Sequence, residues 1–149
     1  MFFLLFSISN EVFAVEINEV LEVVELENIT RIPKSPEILY GITNYRGEML
    51  SVIDFRSTLG FDTYIDKKTV SVVVIDFKIS KKKQLFGFIA ESVIDVCDFP
   101  ETQVEPVCEL GLNFDISFLK GMSKYNEQII HILDIQNIFM VANKNIKTV

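Results

Sequence analysis

Two stretches of this chain can be written one above the other without a gap. Gly41-Ile42-Thr43-Asn44-Tyr45 stands over Gly121-Met122-Ser123-Lys124-Tyr125, and Leu50-Ser51-Val52-Ile53-Asp54-Phe55 over Ile130-His131-Ile132-Leu133-Asp134-Ile135. A second pairing sets Phe13-Ala14-Val15 over Phe86-Gly87-Phe88. It continues as Val20-Leu21-Glu22-Val23 over Val93-Ile94-Asp95-Val96, with Pro33 over Pro106. One insertion, in the loop from about Val107 to Lys120, reconciles the two pairings. Chance similarity among Ile/Val-rich segments is a weaker account of a Gly, a Tyr and an Asp kept in register. The fold is therefore expected to consist of two similar halves.

Each half is written mostly as strands. Phe13, Val15 and Ile17 alternate with Ala14 and Glu16, the period of two of a half-buried strand. Ser9-Asn10-Glu11 ahead of them reads as a hairpin turn, with Asn10 suited to a left-handed conformation. Val20 to Leu26, Met49 to Ile53, Val70 to Phe77, Leu85 to Ala90, Val93 to Val96 and Ile129 to Leu133 are rich in β-branched and apolar residues. Phe2 to Ile8 reads as a buried strand. It lacks the basic residues and the cleavage site of a signal peptide. No stretch approaches the roughly 20 apolar residues of a membrane span, so no direct membrane insertion is expected. Gly41 to Tyr45 reads as a glycine-flanked loop feeding the strand that follows.

Helical signals are short. Ser35-Pro36-Glu37 reads as cap, first-turn proline and first-turn acid of a single turn through Leu39. Asp54 is placed to cap a short helix, Phe55 to Leu59, stopped by Gly60. Asp134 is placed to cap a longer one, whose Ile135, Ile138, Phe139 and Ala142 share a face. Such a stripe is taken as core packing. The expected class is all-β with short helices. Residues 1–149 are expected to form a single domain of two small barrels, with approximate halves 1–66 and 67–149. Exchange of strands between the halves is left open.

Composition narrows the function. Hydrophobic residues make up 49% and charged residues 23%, which argues against disorder. Fourteen basic residues against 21 acidic ones give a net charge of −7, so no nucleic-acid partner is expected. The one basic run, Lys81-Lys82-Lys83, is read as a solvated hairpin tip. Cys97 and Cys108 fit no disulfide framework or zinc spacing and are read as free thiols in a reducing compartment.

No catalytic constellation is visible. His131 is the sole histidine, read as structural, so no His-based metal cluster or paired acid–base arrangement exists. There is no nucleophile elbow and no glycine-rich phosphate loop. Glu16, Glu19, Glu22 and Glu25 alternate with apolar residues, as an outer strand face is written. Neither enzymatic activity, nor a metal, nor a cofactor is expected. The chain is left to act through its surfaces, by its strand edges or by the groove between two barrels.

At this point the residues resemble a known family. Ile32-Pro33-Lys34-Ser35-Pro36, then Gly41-Ile42-Thr43-Asn44-Tyr45-Arg46-Gly47, then an apolar strand ending Asp54-Phe55-Arg56 looks like the signature of CheW-like domains. The opening hairpin and the closing Ile130-His131-Ile132-Leu133-Asp134 are similar too, so the likeness covers nearly the whole chain. The resemblance implies two five-stranded SH3-like β-barrel subdomains. It implies a cytoplasmic chemotaxis scaffold at receptor arrays, coupling the tips of transmembrane chemoreceptors to the histidine kinase CheA. The partner region of that kinase is its own CheW-like regulatory domain. Because the chain ends soon after its last helix, a stand-alone scaffold is expected over a fused or kinase-borne module.

The resemblance also suggests a binding site. The Arg of N-x-R-G and the strand before the Pro turn contribute to receptor coupling in the family, which by position means Arg46, Val20 and Glu22. Tyr45 and Asn44 complete the candidate receptor- or kinase-binding set. Alternatives stand beside each. Arg46 forks onto a partner's carboxylate or ties its own loop to a nearby Glu. Val20 lines a groove or is a core valine, and Glu22 is a contact or merely solvated. Asn44 and Gly47 read as turn-formers. The chain departs from the family in having Ser9-Asn10 for a turn Gly, Tyr45 for the usual Leu, and no polar leader. These bear on partner specificity more than on fold. Two other readings are a CheW-like scaffold of a non-flagellar pathway and a double barrel that binds a small ligand.

Overall fold

The computed structural model describes residues 1–54, 56, 70–100, 103–106 and 118–140, with backbone alone at 77 and 79. Ten strands follow in order: β1 (Phe2–Ile8), β2 (Glu11–Glu16), β3 (Val20–Leu26), β4 (Leu39–Tyr45) and β5 (Glu48–Ile53). Then come β6 (Val70–Ile79), β7 (Lys82–Ala90), β8 (Ser92–Asp98), β9 (Leu119–Tyr125) and β10 (Gln128–Leu133). A three-residue 3₁₀ turn, Ile17–Glu19, links β2 to β3. Among the described residues there is one short α-helix, α1, at 135–140. The expected helix at 55–59, the end of α1 at Ala142, Cys108 and most of the insertion loop lie outside the described residues.

The strands form two five-stranded curled sheets. Sheet A has the order β8-β1-β2-β10-β9 and sheet B the order β3-β6-β7-β5-β4. The sequence repeat maps β1 to β5 onto β6 to β10, so both sheets follow one plan. Each sheet takes its central hairpin from one half of the sequence and its other three strands from the other half. The hairpin β1–β2 sits among second-half strands, and β6–β7 among first-half strands.

This position explains why β1 reads as a continuous apolar run, and it corrects the half-buried reading of β2, where Val12 and Ala14 are buried as well as Phe13 and Val15. Phe3, Leu5, Val12 and Ala14 face the inside of sheet A together with Ile130 and Ile132. Leu4, Phe6, Phe13 and Val15 face the other way, into a core shared with Val73, Ile75, Phe86 and Phe88 of sheet B. Both faces of β1 are therefore buried, and the alternation that marks a half-wet strand is lost. Phe6 meets Phe88 across the two sheets at 5.2 Å in a tilted contact, and stacks on Phe13 within its own sheet at 6.1 Å.

Two of the strands, β4 and β9, are not legible as strands. The stretch from Gly41 to Tyr45 is not a loop; it pairs along its length with β5. As edge strands rich in Gly, Thr, Ser and Asn, β4 and β9 carry no apolar run. The glycines have a specific task. Each sheet curls until the segment after its first edge strand meets the opposite edge. Thr30 and Ile42 exchange two backbone hydrogen bonds of 2.9 Å, and Glu105 and Met122 exchange bonds of 2.8 and 2.9 Å. A Cβ on Gly41 would lie 2.5 Å from the Thr30 carbonyl oxygen, and one on Gly121 2.6 Å from a Val104 methyl.

A backbone carbonyl cannot turn aside, whereas a valine methyl can. Gly41→Ala is therefore expected to cost about 1–3 kcal/mol, the range for overpacking. Gly121→Ala should cost less. Urea midpoints of the two variants check this, and equal losses would contradict the closure argument.

All four hairpins turn through two residues of positive φ: Ser9-Asn10, Arg46-Gly47, Ser80-Lys81 and Asn126-Glu127. That geometry matches the right-handed twist of the flanking strands. Near the Pro turn, Ser35 acts differently from expectation. Its hydroxyl donates backward to the Ile32 carbonyl at 2.7 Å, across a turn in which Lys34 has φ 60°. It does not cap the turn that follows, where the Leu39 N–H bonds the Pro36 carbonyl.

Candidate functional site

The edge strands of sheet B, β3 and β4, lie at opposite ends of its strand order, so Glu22 and Tyr45 meet only because the sheet curls. The Tyr45 hydroxyl donates to the Glu22 carboxylate. Arg46, the next residue, places its guanidinium 2.8 Å from the same carboxylate and 5.4 Å from the Tyr45 ring. Tyr45 is buried, whereas the Arg46 side chain is 68% exposed. The Asn44 side chain accepts the Gly47 N–H at 3.1 Å, closing the tight turn that presents Arg46. Gly47 holds φ 83°, which a side chain rarely allows.

Sheet A carries a counterpart. The Tyr125 hydroxyl donates to Asp95 at 2.8 Å across the equivalent edges, β9 and β8. That bond pushes the Tyr125 hydroxyl up to about 12 and holds Asp95 below its usual range, with the Val96 N–H helping. The tyrosine–carboxylate tie is thus shared by both sheets. Arg46 is not: Asn126 stands in its place, followed by Glu127 where Gly47 stands.

Of the five candidate residues, the structure brings Glu22, Tyr45 and Arg46 together, with Asn44 shaping their turn. Val20 sits elsewhere. It is half-buried against the core between the sheets, so its packing is that of a core valine. The expectation for the glutamates needs correction. Glu22 is partly buried, and Glu16 and Glu19 share Lys120, at 2.6 and 4.0 Å. Burial, the neighbouring Glu16 and the charge of Asp134 push Glu19 up to about 7, against the pull of Lys120. Of the four, only Glu25 is exposed.

A bulge between Val20 and Glu22 sets the parity of β3, turning Leu21 and Val23 outward at 42% and 39% exposure. Val93, Ile94 and Val96 are exposed likewise on β8. The sequence carries the signal, since Val20-Leu21 and Val23-Val24 put apolar residues on both faces of one strand. His131 is buried beside Phe13, 3.6 Å from Glu11, and burial lowers its pKa. Cys97 is half-buried against the core of sheet A, and burial raises its thiol.

Among the described residues, no group of three or more His, Cys, Asp or Glu is placed to hold a metal. Among them, no helix is long and apolar enough to cross a membrane. The arrangement offers recognition chemistry: a preset guanidinium on a rigid turn, anchored by a carboxylate and a tyrosine.

Comparisons with known proteins agree with this architecture. The family model for the CheW-like domain matches residues 3–142. The chain is 26% identical over 136 residues to a chemotaxis protein CheW of Klebsiella aerogenes, covering 91% of this chain and 80% of that one. It is 27% identical to the CheW of Thermotoga maritima, covering 89% and 83%. The crystal structure of the scaffolding protein TtCheW from Thermoanaerobacter tengcongensis superposes with a TM-score of 0.77. Its identity is 29%, over 90% of this chain and 84% of that one.

Proposed function

Because the chain belongs to the CheW-like domain family, we propose that it is a chemotaxis scaffold that couples chemoreceptors to the histidine kinase CheA from the cytoplasmic side. The carrying observation is Arg46. The tyrosine–carboxylate tie occurs in both sheets, but only sheet B adds an exposed guanidinium to it. A feature repeated in both halves serves the fold, and one added to a single half is free to serve a partner. Here the Glu22 carboxylate holds the fork ready and leaves its outer edge open to a partner's carboxylate or backbone carbonyl.

The test is a reconstitution of receptor signalling domain, kinase and this protein, reading receptor-dependent phosphorylation. Arg46→Ala should keep its thermal stability, because an exposed ion pair contributes at most about 1 kcal/mol. Its coupling should fall about tenfold or more, as for loss of an interface arginine. Glu22→Gln separates two roles for Arg46. If Arg46 touches the partner, Glu22→Gln should be milder than Arg46→Ala; if Arg46 only ties its own loop, the two should match. Full activity of Arg46→Ala would remove it from the site.

A further inference from the structure

The tip of the β6–β7 hairpin concentrates charge in a way the fold does not require. Lys81 is in the turn, Lys82 and Lys83 open β7, and Lys78 lies directly opposite Lys83 in the ladder. All four lysines are exposed. Like charges directly opposite one another weaken a strand pair, so Lys78 facing Lys83 is a cost to the ladder, although Lys78 also lines a groove with Glu19 and Asp134. Among the described residues, Asp76 is the carboxylate paired with this tip, 3.8 Å from Lys83. The four lysines are a large share of the 14 basic residues of a chain whose net charge is −7.

The topology brings this tip to the end of the sheet already singled out. Strands β5 and β7 run parallel, with Val52 beside Gly87. The turn that starts β5 carries Arg46, and the turn that starts β7 carries Lys81, so both project from one end of sheet B.

We propose that this basic end of sheet B, with Lys78, Lys81, Lys82 and Lys83 beside the Arg46 turn, docks an acidic segment of a partner protein. The proposal deepens the scaffold reading above and rests on it. Charge complementarity selects the occupant. A nucleic acid or an anionic bilayer is an extended negative surface, which would also meet the acidic remainder of this chain. A short acidic protein segment meets the tip alone. Such contacts speed and orient encounter more than they add affinity, and salt screens them.

The experiment uses the full chain with purified receptor signalling domain and purified kinase regulatory domain, titrated at low and high salt. The fourfold variant Lys78→Gln/Lys81→Gln/Lys82→Gln/Lys83→Gln should bind one of the two proteins about tenfold more weakly at low salt, with a flatter salt dependence. Its urea midpoint should be unchanged or raised. Should the fourfold variant not fold, Lys81→Gln/Lys82→Gln carries the same comparison, with an expected loss of about threefold. Equal affinities and salt slopes for variant and wild type would overturn the docking surface and leave the scaffold reading standing. So would lysine-dependent capture by phosphatidylserine vesicles or single-stranded DNA, if affinity for both proteins is unchanged. Wild-type protein that binds neither domain would overturn the scaffold reading, and the docking surface with it.

Discussion

Asp54→Ala is expected to lower stability by about 3–5 kcal/mol, the cost of stripping one partner from a buried ion pair. Asp54 and Arg56 are 4% and 3% exposed. The Arg56 guanidinium donates to both carboxylate oxygens, at 2.8 and 2.6 Å, and the Arg56 backbone N–H adds a third bond of 3.1 Å. These bonds raise the Arg56 pKa, and a guanidinium keeps its charge in proteins even without them. Alanine at 54 would leave that charge at a buried position without the carboxylate that accepts its hydrogen bonds. Asp54→Leu/Arg56→Met removes both charges and should recover most of the loss, because the pair is costly to desolvate in the first place. Urea denaturation of the single and double variants decides it. A loss below about 1 kcal/mol in the single variant would mean that the pair is solvated in solution.

The other large effect belongs to the core between the sheets. Phe6→Ala should cost about 3–5 kcal/mol, as for other buried aromatic truncations. Phe6 is fully buried and packs against Phe13 of its own sheet and Phe88 of the other. Since each sheet also borrows its central hairpin from the far half of the sequence, neither is expected to unfold alone. Near-UV circular dichroism and hydrogen exchange at amides of β6 and β10 should therefore lose structure in one coincident transition, in wild type and variant alike. Two separated transitions in the variant would show that the sheets are independent units.

The sequence exposed the strands that are apolar and hid those that are not. Eight strands carry β-branched or aromatic runs and were visible. β4 and β9 were not, because an edge strand that closes a curled sheet over Gly41 or Gly121 has little side chain to bury. The aspartates at 54 and 134 stood out as a matched pair, yet they do different work. Asp134 accepts the Asn137 N–H at 3.1 Å and caps α1, whereas Asp54 neutralises Arg56. The difference lies two residues on, where buried Arg56 is matched by exposed Gln136. The site was half legible. Motif positions point to Arg46, Tyr45 and Glu22. Their mutual contact and the removal of Val20 to the core depended on the curl of sheet B and on the bulge in β3.

What the sequence determined by itself was a set of parts: two similar halves, eight of the ten strands, and the Gly, Tyr and Asp that recur in register. What the tertiary structure decided was which parts share a sheet. Strands with the same pattern in both halves offer the same faces, so hydrophobicity does not distinguish an exchanged assembly from an unexchanged one. Chain length does. One residue, Glu91, separates β7 from β8. Suppose β8 lay beside β6 in the register that β3 holds there. Ala90, paired with Ser71, would then have to be followed within three residues by Val93 beside Ile75. That gap is about 16 Å, from four residues along β6 and two strand spacings across it. Three extended residues reach only about 11 Å. The chain must step into the other sheet, and that step carries the strands of each half into both.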